Sequence, residues 1–109
     1  MSNAAIFVQP SQPKVVLPLG RIVATRGALD TAGTPRIAQC MALHALGDWG
    51  CVCDADKRAN DAAVKHGDRI LSAYPIDPSR PSRGHGDNTL WIITEWDRSV
   101  TTALLPDEY

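Results

Sequence analysis

Hydrophobic and polar residues alternate most clearly in residues 89–109, which read TLWIITEWDRSVTTALLPDEY. In an extended chain successive side chains point to opposite faces, so this alternation is typical of a β-strand. One face would carry Leu90, Ile92, Thr94 and Trp96, and the other would carry Trp91, Ile93 and Glu95. Polar residues 97–99 separate this run from the β-branched run at 100–105, and the two runs together predict a β-hairpin.

Two helices are predicted in the middle of the chain. Thr34-Pro35 is typical of a helix start, because a threonine oxygen can cap free backbone amides and proline at the first position sacrifices no hydrogen bond. Apolar residues then recur at helical spacing until a glycine suits the stop. A second helix is predicted to start at Asp54 or Asp56 and to end at Gly67.

Shorter apolar runs complete the predicted architecture. Residues 22–24 (IVA) and 69–76 (RILSAYPI) are predicted strands, and residues 27–33 have room for one helical turn at most. Trp49, in the turn DWGCVC between the helices, is predicted to pack into the core. This order predicts a single small α+β domain over residues 15–109. Its N-terminal strand and two helices precede a three-stranded antiparallel meander, with the helices packed on one face.

Two segments outside these elements are rich in proline and polar residues. Residues 1–14 are predicted to form a flexible N-terminal arm, since they contain Pro10 and Pro13 and few apolar residues. Residues 77–88, DPSRPSRGHGDN, are predicted to form a mobile loop, because they are long for a hairpin connection and dense in Pro, Gly, Ser and Arg.

Composition narrows the class of protein. With 109 residues, 44% hydrophobic and 21% charged, the chain has the composition of an ordinary globular domain. A formal net charge of -1 argues against a broad duplex-DNA surface and leaves binding of nucleic acid by a local patch open. Three cysteines at uneven spacing make no disulfide framework, so we expect a reducing cytoplasm. No run of about 18 apolar residues is present, so we expect no membrane span.

From His44 onward the chain contains three distinctive sequence segments: HALGDWG, DADKRANDAAVKHGDRILSAY and above all ITEWDRSVTTALLPDEY. These segments resemble a family of small, largely uncharacterised proteins of bacterial plasmids and other mobile elements, some of which carry automatic labels tied to type I restriction. The resemblance covers roughly residues 20–109 and implies no activity for any one residue. The insertion at 77–88 and the pair Cys51-Val52-Cys53 depart from the family pattern.

Soft ligands make zinc the first chemical hypothesis. A tetrahedral site has enough potential ligands in Cys40, His44, Cys51 and Cys53. Against it, Cys-x-Cys is not the Cys-x-x-Cys knuckle of zinc sites, and cysteine is often buried without any function. Free thiols are therefore the favoured interpretation, and we expect neither a metal nor another cofactor.

Histidine catalysis is the second chemical hypothesis. An RNA-cleaving site needs a general base, a general acid and a cation that stabilises the transition state. The candidates for these roles are His44, Glu95 and Arg98. The alternative is that His44 simply packs beneath its helix and that Arg98 belongs to a solvated hairpin turn.

Three tryptophans exceed what a core of this size strictly requires. Trp91 and Trp96 have opposite parity in the predicted strand, so one of them faces outward if helices cover one side of the sheet. An outward tryptophan with polar and aromatic neighbours is typical of a protein-binding surface. The candidate residues of that surface are Tyr74, Trp91, Glu95, Trp96 and Arg98. A cross-strand aromatic pair that stabilises the hairpin is the alternative.

These patterns favour a small non-enzymatic interaction protein of a mobile genetic element that binds a partner protein in the cytoplasm. The resemblance suggests a host defence complex as the partner, so that the protein would inhibit a restriction or CRISPR assembly. The alternative is a toxin-like RNA-cleaving or RNA-binding protein, because barnase-like and RelE-like nucleases also place helices ahead of a meander.

Overall fold

A computed structural model describes residues 17–109, so the predicted arm at 1–14 lies outside the described residues. The helices and strands, in chain order, are β1 (Arg21–Ala24), α1 (Arg26–Ala32), α2 (Thr34–Ala45), α3 (Asp54–His66), β2 (Ile70–Pro75), β3 (Thr89–Thr94) and β4 (Val100–Leu104). A short 3-10 helix, Pro106–Glu108, follows β4. The strands form one sheet in the order β1-β4-β3-β2. Within the described residues, every helix is too short or too polar to cross a membrane.

The α+β class is confirmed, but the sheet has four strands of mixed direction. β2 pairs antiparallel with β3, and β3 pairs antiparallel with β4. β1 joins the far side of β4 in parallel, with Arg21 opposite Val100 and Ala24 opposite Ala103. The predicted meander with a separate N-terminal strand is therefore incomplete. Alternation shows which residues are extended, but it carries no information about a parallel partner far along the chain.

Residues 17–109 contain three α-helices, one more than predicted. Residues 26–32 form α1, where one turn at most was expected, because the Thr25 hydroxyl accepts the Ala28 N–H and caps the helix start. Gly33, at φ 81°, ends α1 and is also the residue that precedes α2. Thr34 therefore lies inside α2 and does not cap it, contrary to the prediction. A glycine at this junction suits a positive φ that other residues rarely adopt.

The other two helices divide between the face and the edge of the sheet. Helices α1 and α2 cover one face of the sheet. The core between these helices and the sheet contains Ala28, Ile37, Cys40, Met41, Tyr74, Leu90, Ile92 and Ala103. In contrast, α3 lies along the edge of β2, where its Asn60 side chain bonds to the backbone of Leu71. The prediction that the helices share one face is therefore wrong for α3. Its predicted start at Asp54 and its left-handed stop at Gly67 are present, and Trp49 is buried as expected.

Two side chains close the outer edge of β2. Asn60 on α3 donates to the carbonyl of Leu71 (2.8 Å) and accepts the Leu71 N–H (3.4 Å), as a neighbouring strand would. Four residues further along, Pro75 has no N–H, and its carbonyl accepts from Arg36 Nε (3.1 Å) and Nη2 (2.8 Å). These bonds leave neither residue open to a further strand.

The turn before α3 covers the outer edge of β2 between Leu71 and Pro75. Ala73 donates its N–H to the carbonyl of Trp49 (3.2 Å) and accepts the Cys51 N–H (2.8 Å). Gly50, at φ 73°, lies so close that a β-carbon there would collide with the Ala73 carbonyl oxygen. Glycine is thus required at this position, and each outward backbone group from Leu71 to Pro75 has a partner.

Replacing Asn60 by alanine tests this closure. Asn60→Ala leaves the N–H and carbonyl of Leu71 without their protein partner, so we expect the free energy of unfolding to fall by about 2 kcal/mol. Urea denaturation measures the change. Lys57→Ala, an exposed change on the same helix, is the control and is expected to stay within about 0.5 kcal/mol of the parent. Equal effects of the two changes would contradict a bonding role for Asn60.

Candidate functional site

The connection between β3 and β4 displays the most exposed tryptophan of the described residues. Trp96 is 66% exposed, whereas Trp49 is buried and Trp91 is half-buried. Because β3 ends at Thr94, Trp96 lies in a turn and not in the strand. The parity argument for Trp96 is therefore wrong, although its indole does face solvent. We call residues 95–99 the Trp96 turn.

Arg98 fixes the Trp96 turn to the end of α3. Its Nη1 donates to the carbonyls of Asp68 (2.6 Å) and Glu95 (3.1 Å), and its Nη2 donates to the carbonyl of Ala63 (2.9 Å). A cation at the C-terminus of a helix also complements the helix dipole. Arg98 has φ 61°, a left-handed conformation that is unusual outside glycine, and these three bonds hold it there.

Two further contacts make the Trp96 turn rigid. The Asp97 carboxylate accepts from the Ser99 N–H (3.0 Å) and the Ser99 hydroxyl (2.6 Å), and these hydrogen bonds lower the pKa of Asp97. On the other side, Gly20 lies so near that a β-carbon would collide with the carbonyl oxygens of Arg98 and Ser99. The turn is therefore packed from both sides while Trp96 points away.

The other residues predicted for a binding surface lie elsewhere. Tyr74 is only 2% exposed and donates its hydroxyl to the Asp48 carbonyl (2.7 Å), so it belongs to the core and contacts no partner. Trp91 lies on the sheet face away from α2, with its Nε1 donating to the Gly84 carbonyl (2.8 Å). Its ring meets Tyr109 edge-on, with centroids 5.7 Å apart. The structure therefore brings together only Glu95, Trp96 and Arg98.

His44 is 0% exposed and belongs to a buried chain of hydrogen bonds. Thr101 donates to the carbonyl of Leu19 (2.7 Å), so the Thr94 hydroxyl must donate to Thr101 (2.8 Å). Thr94 then accepts from His44 Nε2 (2.7 Å), and Nδ1 accepts from the Ser72 hydroxyl (2.6 Å). The order of donors fixes one neutral tautomer of the ring, protonated at Nε2.

This burial does not favour the alternative hypothesis, in which His44, Glu95 and Arg98 act together on RNA. His44 cannot touch a substrate, and the Arg98 guanidinium is occupied by backbone carbonyls. Burial, with a smaller effect of the Arg98 charge, lowers the pKa of His44 from 6.5 to about 4. The histidine is therefore neutral at pH 7 and packs beneath its helix, as the alternative interpretation held.

The potential zinc ligands are dispersed. Cys40 is buried in the core, where burial raises the pKa of its thiol, while Cys53 is exposed. Cys51 is intermediate in exposure, and its thiol donates to the carbonyl of Ala73 (3.3 Å) and to the Ser82 hydroxyl (3.4 Å). Among residues 17–109, no three His, Cys, Asp or Glu side chains come together in a way that could hold a metal ion. Cys40, Cys51 and Cys53 are therefore free thiols.

The loop at 77–88 is anchored from its last residue. Asn88 Nδ2 donates to the carbonyls of Asp77 (3.1 Å) and Arg80 (3.0 Å), and Asn88 Oδ1 accepts the Asp77 N–H (2.8 Å). The Thr89 hydroxyl donates to the carbonyl of His85 (2.8 Å), so it accepts from the Ser82 hydroxyl (2.6 Å). The predicted mobility of this loop is untested and stays a prediction, but a single asparagine ties its two ends together.

No protein family, curated protein or solved structure matches this chain. The candidate site is therefore defined by the geometry of the chain itself, and it is the Trp96 turn. Sequence reasoning singled out Glu95, Trp96 and Arg98 but missed the contact that holds this turn against the end of α3. The sequence signal for this contact was Arg98, because a long cationic side chain can donate to the unpaired carbonyls in the last turn of a helix.

The neutral histidine predicts a pH-dependent stability. Because the pKa of His44 is about 4 in the folded protein and 6.5 ordinarily, the unfolded chain binds more protons between these values. The stabilisation is complete above pH 6.5 and is lost as the pH falls toward 4. We expect the free energy of unfolding to be about 2 kcal/mol lower at pH 5 than at pH 7. Urea denaturation at both values measures it.

Two exposed histidines provide the control for this experiment. His66→Gln and His85→Gln remove imidazoles that lie at the surface, so the difference between pH 7 and pH 5 should persist in both variants. Equal stability of the parent at the two pH values would show that His44 is not buried in its neutral form.

Arg98 predicts an unusual order of variant stabilities. Arg98→Ala removes the three side-chain bonds but keeps a β-carbon at positive φ, whereas Arg98→Gly removes the same bonds and relieves the strain. We expect both to be less stable than the parent, with the glycine variant more stable than the alanine variant by about 1 kcal/mol. Thermal unfolding followed by circular dichroism measures this order. Alanine equal to or above glycine would contradict it.

Proposed function

We propose that this protein is a non-enzymatic binding protein that contacts a partner protein through the Trp96 turn. The observation that carries the proposal is a 66% exposed tryptophan held on a turn that is fixed from both sides. An exposed indole offers a partner a large apolar area together with a polar N–H group, which is why tryptophan is enriched at interfaces. Tryptophan is also enriched among the residues that dominate binding energies.

Rigidity of the turn supports this proposal on energetic grounds. A flexible loop loses conformational freedom when it binds, and that loss subtracts from the affinity. Here Arg98 and Asp97 have already fixed the backbone on both sides of Trp96, so little ordering remains to be done. Glu95, the preceding residue, is half-buried and provides a polar group for the rim of the contact.

We further propose a bacterial defence complex in the cytoplasm as the partner, with inhibition as the consequence. The motivation is the resemblance of residues 90–109 to proteins of mobile elements, which benefit when a restriction or CRISPR assembly is blocked. The near-neutral charge of the chain is compatible with a protein partner and offers no broad surface for duplex DNA.

Trp96→Ala tests the contact directly. In cells that carry a type I restriction system, the tagged parent should relieve restriction of incoming phage and should co-purify with a restriction subunit. Trp96→Ala removes an exposed ring, so it should keep the unfolding temperature of the parent and should lower capture by about tenfold or more. Leu46→Ala, another exposed apolar change on a different element, is the matched control and should retain capture.

Three results would contradict the proposal. Capture that Trp96→Ala and Leu46→Ala lower equally would remove the role of the turn. Absence of restriction relief and of capture, in cells with either restriction or CRISPR systems, would remove the proposed partner. Cleavage of RNA by the purified parent would remove the non-enzymatic description.

A further inference from the structure

The two edges of the sheet differ in how their backbone groups are paired. Each outward group of β2 from Leu71 to Pro75 has a partner, as described above. On β1, inward groups bond to β4, with the Arg21 N–H donating to the Ser99 carbonyl (3.0 Å) and the Thr25 N–H donating to the Ala103 carbonyl (3.0 Å). In a strand the intervening residues point the other way, so the N–H and carbonyl groups of Ile22 and Ala24 face outward.

Within residues 17–109 these outward groups of β1 have no hydrogen-bond partner. Ile22 is also 55% exposed, so its apolar side chain is accessible beside these groups. An open edge with an exposed apolar residue is a template for a further strand. Within residues 17–109, the β2 edge is thus paired from Leu71 to Pro75, whereas the outward backbone groups of β1 are unpaired.

We propose that a second copy of this chain occupies the open edge. The β1 strands of two molecules would pair antiparallel about a two-fold axis and join the two sheets into one of eight strands. Only one register of this pairing uses the outward groups of both Ile22 and Ala24 in each copy. In that register Ile22 faces Ala24 of the second copy, Val23 lies on the axis opposite itself, and Arg21 faces Thr25 of the second copy.

Charge complementarity favours this register and this occupant. Arg21 and Thr25 share one face of the sheet, since they are an even number of residues apart. The Glu108 carboxylate is held on that face by the Thr25 hydroxyl (2.6 Å) and the Leu105 N–H (2.8 Å). Arg21 of one copy, which is exposed, is therefore placed beside Glu108 of the other. The two-fold axis forms this ion pair twice.

Four residues per strand limit the strength of the association. The β1 pairing supplies four backbone hydrogen bonds and covers Ile22, but it buries less than the roughly 1,200 Å² of a typical stable complex. We therefore expect a dimer whose population rises with protein concentration and falls with salt, because the ion pairs lie at the surface.

Sedimentation equilibrium of the full chain tests the interface. Arg21→Glu places two like-charge pairs where two opposite-charge pairs stood, so the dissociation constant should rise by about tenfold. Arg58→Glu makes the same charge change on the exposed side of α3 and should leave the constant unaltered. A parent that is monomeric at every concentration would overturn the proposal, as would an equal effect of the two changes.

A cross-link tests the register independently of any effect on affinity. Val23 lies opposite itself at a non-hydrogen-bonded position, where Cα atoms are about 4.5 Å apart and a disulfide can form. With the exposed Cys53 replaced by serine, Val23→Cys should therefore give a covalent dimer under mild oxidation. Arg21→Cys in the same background should not, because the two copies of residue 21 lie roughly 13 Å apart along the ribbon. Cross-linking of residue 21 in preference to residue 23 would overturn the register.

Discussion

The antiparallel pairing of β3 with β4 is the interaction on which the rest of the structure depends. β3 and β4 are the two inner strands, so their pairing is what joins β2 on one side and β1 on the other into a single sheet. Their register places Thr94 opposite Thr101, and this cross-strand pair receives His44 from α2. The same pairing closes the Trp96 turn and brings Arg98 to the end of α3. One ladder therefore positions a helix, a polar core and the proposed contact surface.

The polar core shows why a histidine in a small protein need not be a catalyst. Every hydrogen-bonding group of the His44 ring has a partner, and the chain of donors runs in one direction from Ser72 to the carbonyl of Leu19. Satisfying these groups removes the penalty of burying them, and it also fixes the position of α2 over the sheet. Burial in this site disfavours the charged imidazolium, which is the main physical reason for the low pKa of His44, and the charge of Arg98 adds to the effect.

The two proposed surfaces are compatible with each other. The Trp96 turn lies at the end of the sheet where β1 begins, since Arg21 is opposite Val100. In an antiparallel β1 pairing the two beginnings lie at opposite ends of the ribbon, so a dimer would carry its two Trp96 turns far apart. Such an arrangement would allow two partners, or two sites of one partner, to be bound at once, with a gain in avidity that needs no new contact.

Local patterns were sufficient for much of this molecule. The strand character of residues 89–94 and 100–104, the limits of α3 and the burial of Trp49 all follow from alternation, capping residues and hydrophobicity, which act over a few neighbouring positions. Tertiary structure alone decided that Tyr74 is buried, that Arg98 forms hydrogen bonds at the end of α3, and that β1 joins β4 in parallel. Those outcomes depend on which distant backbone groups need a partner, and a linear pattern of side chains does not encode that demand.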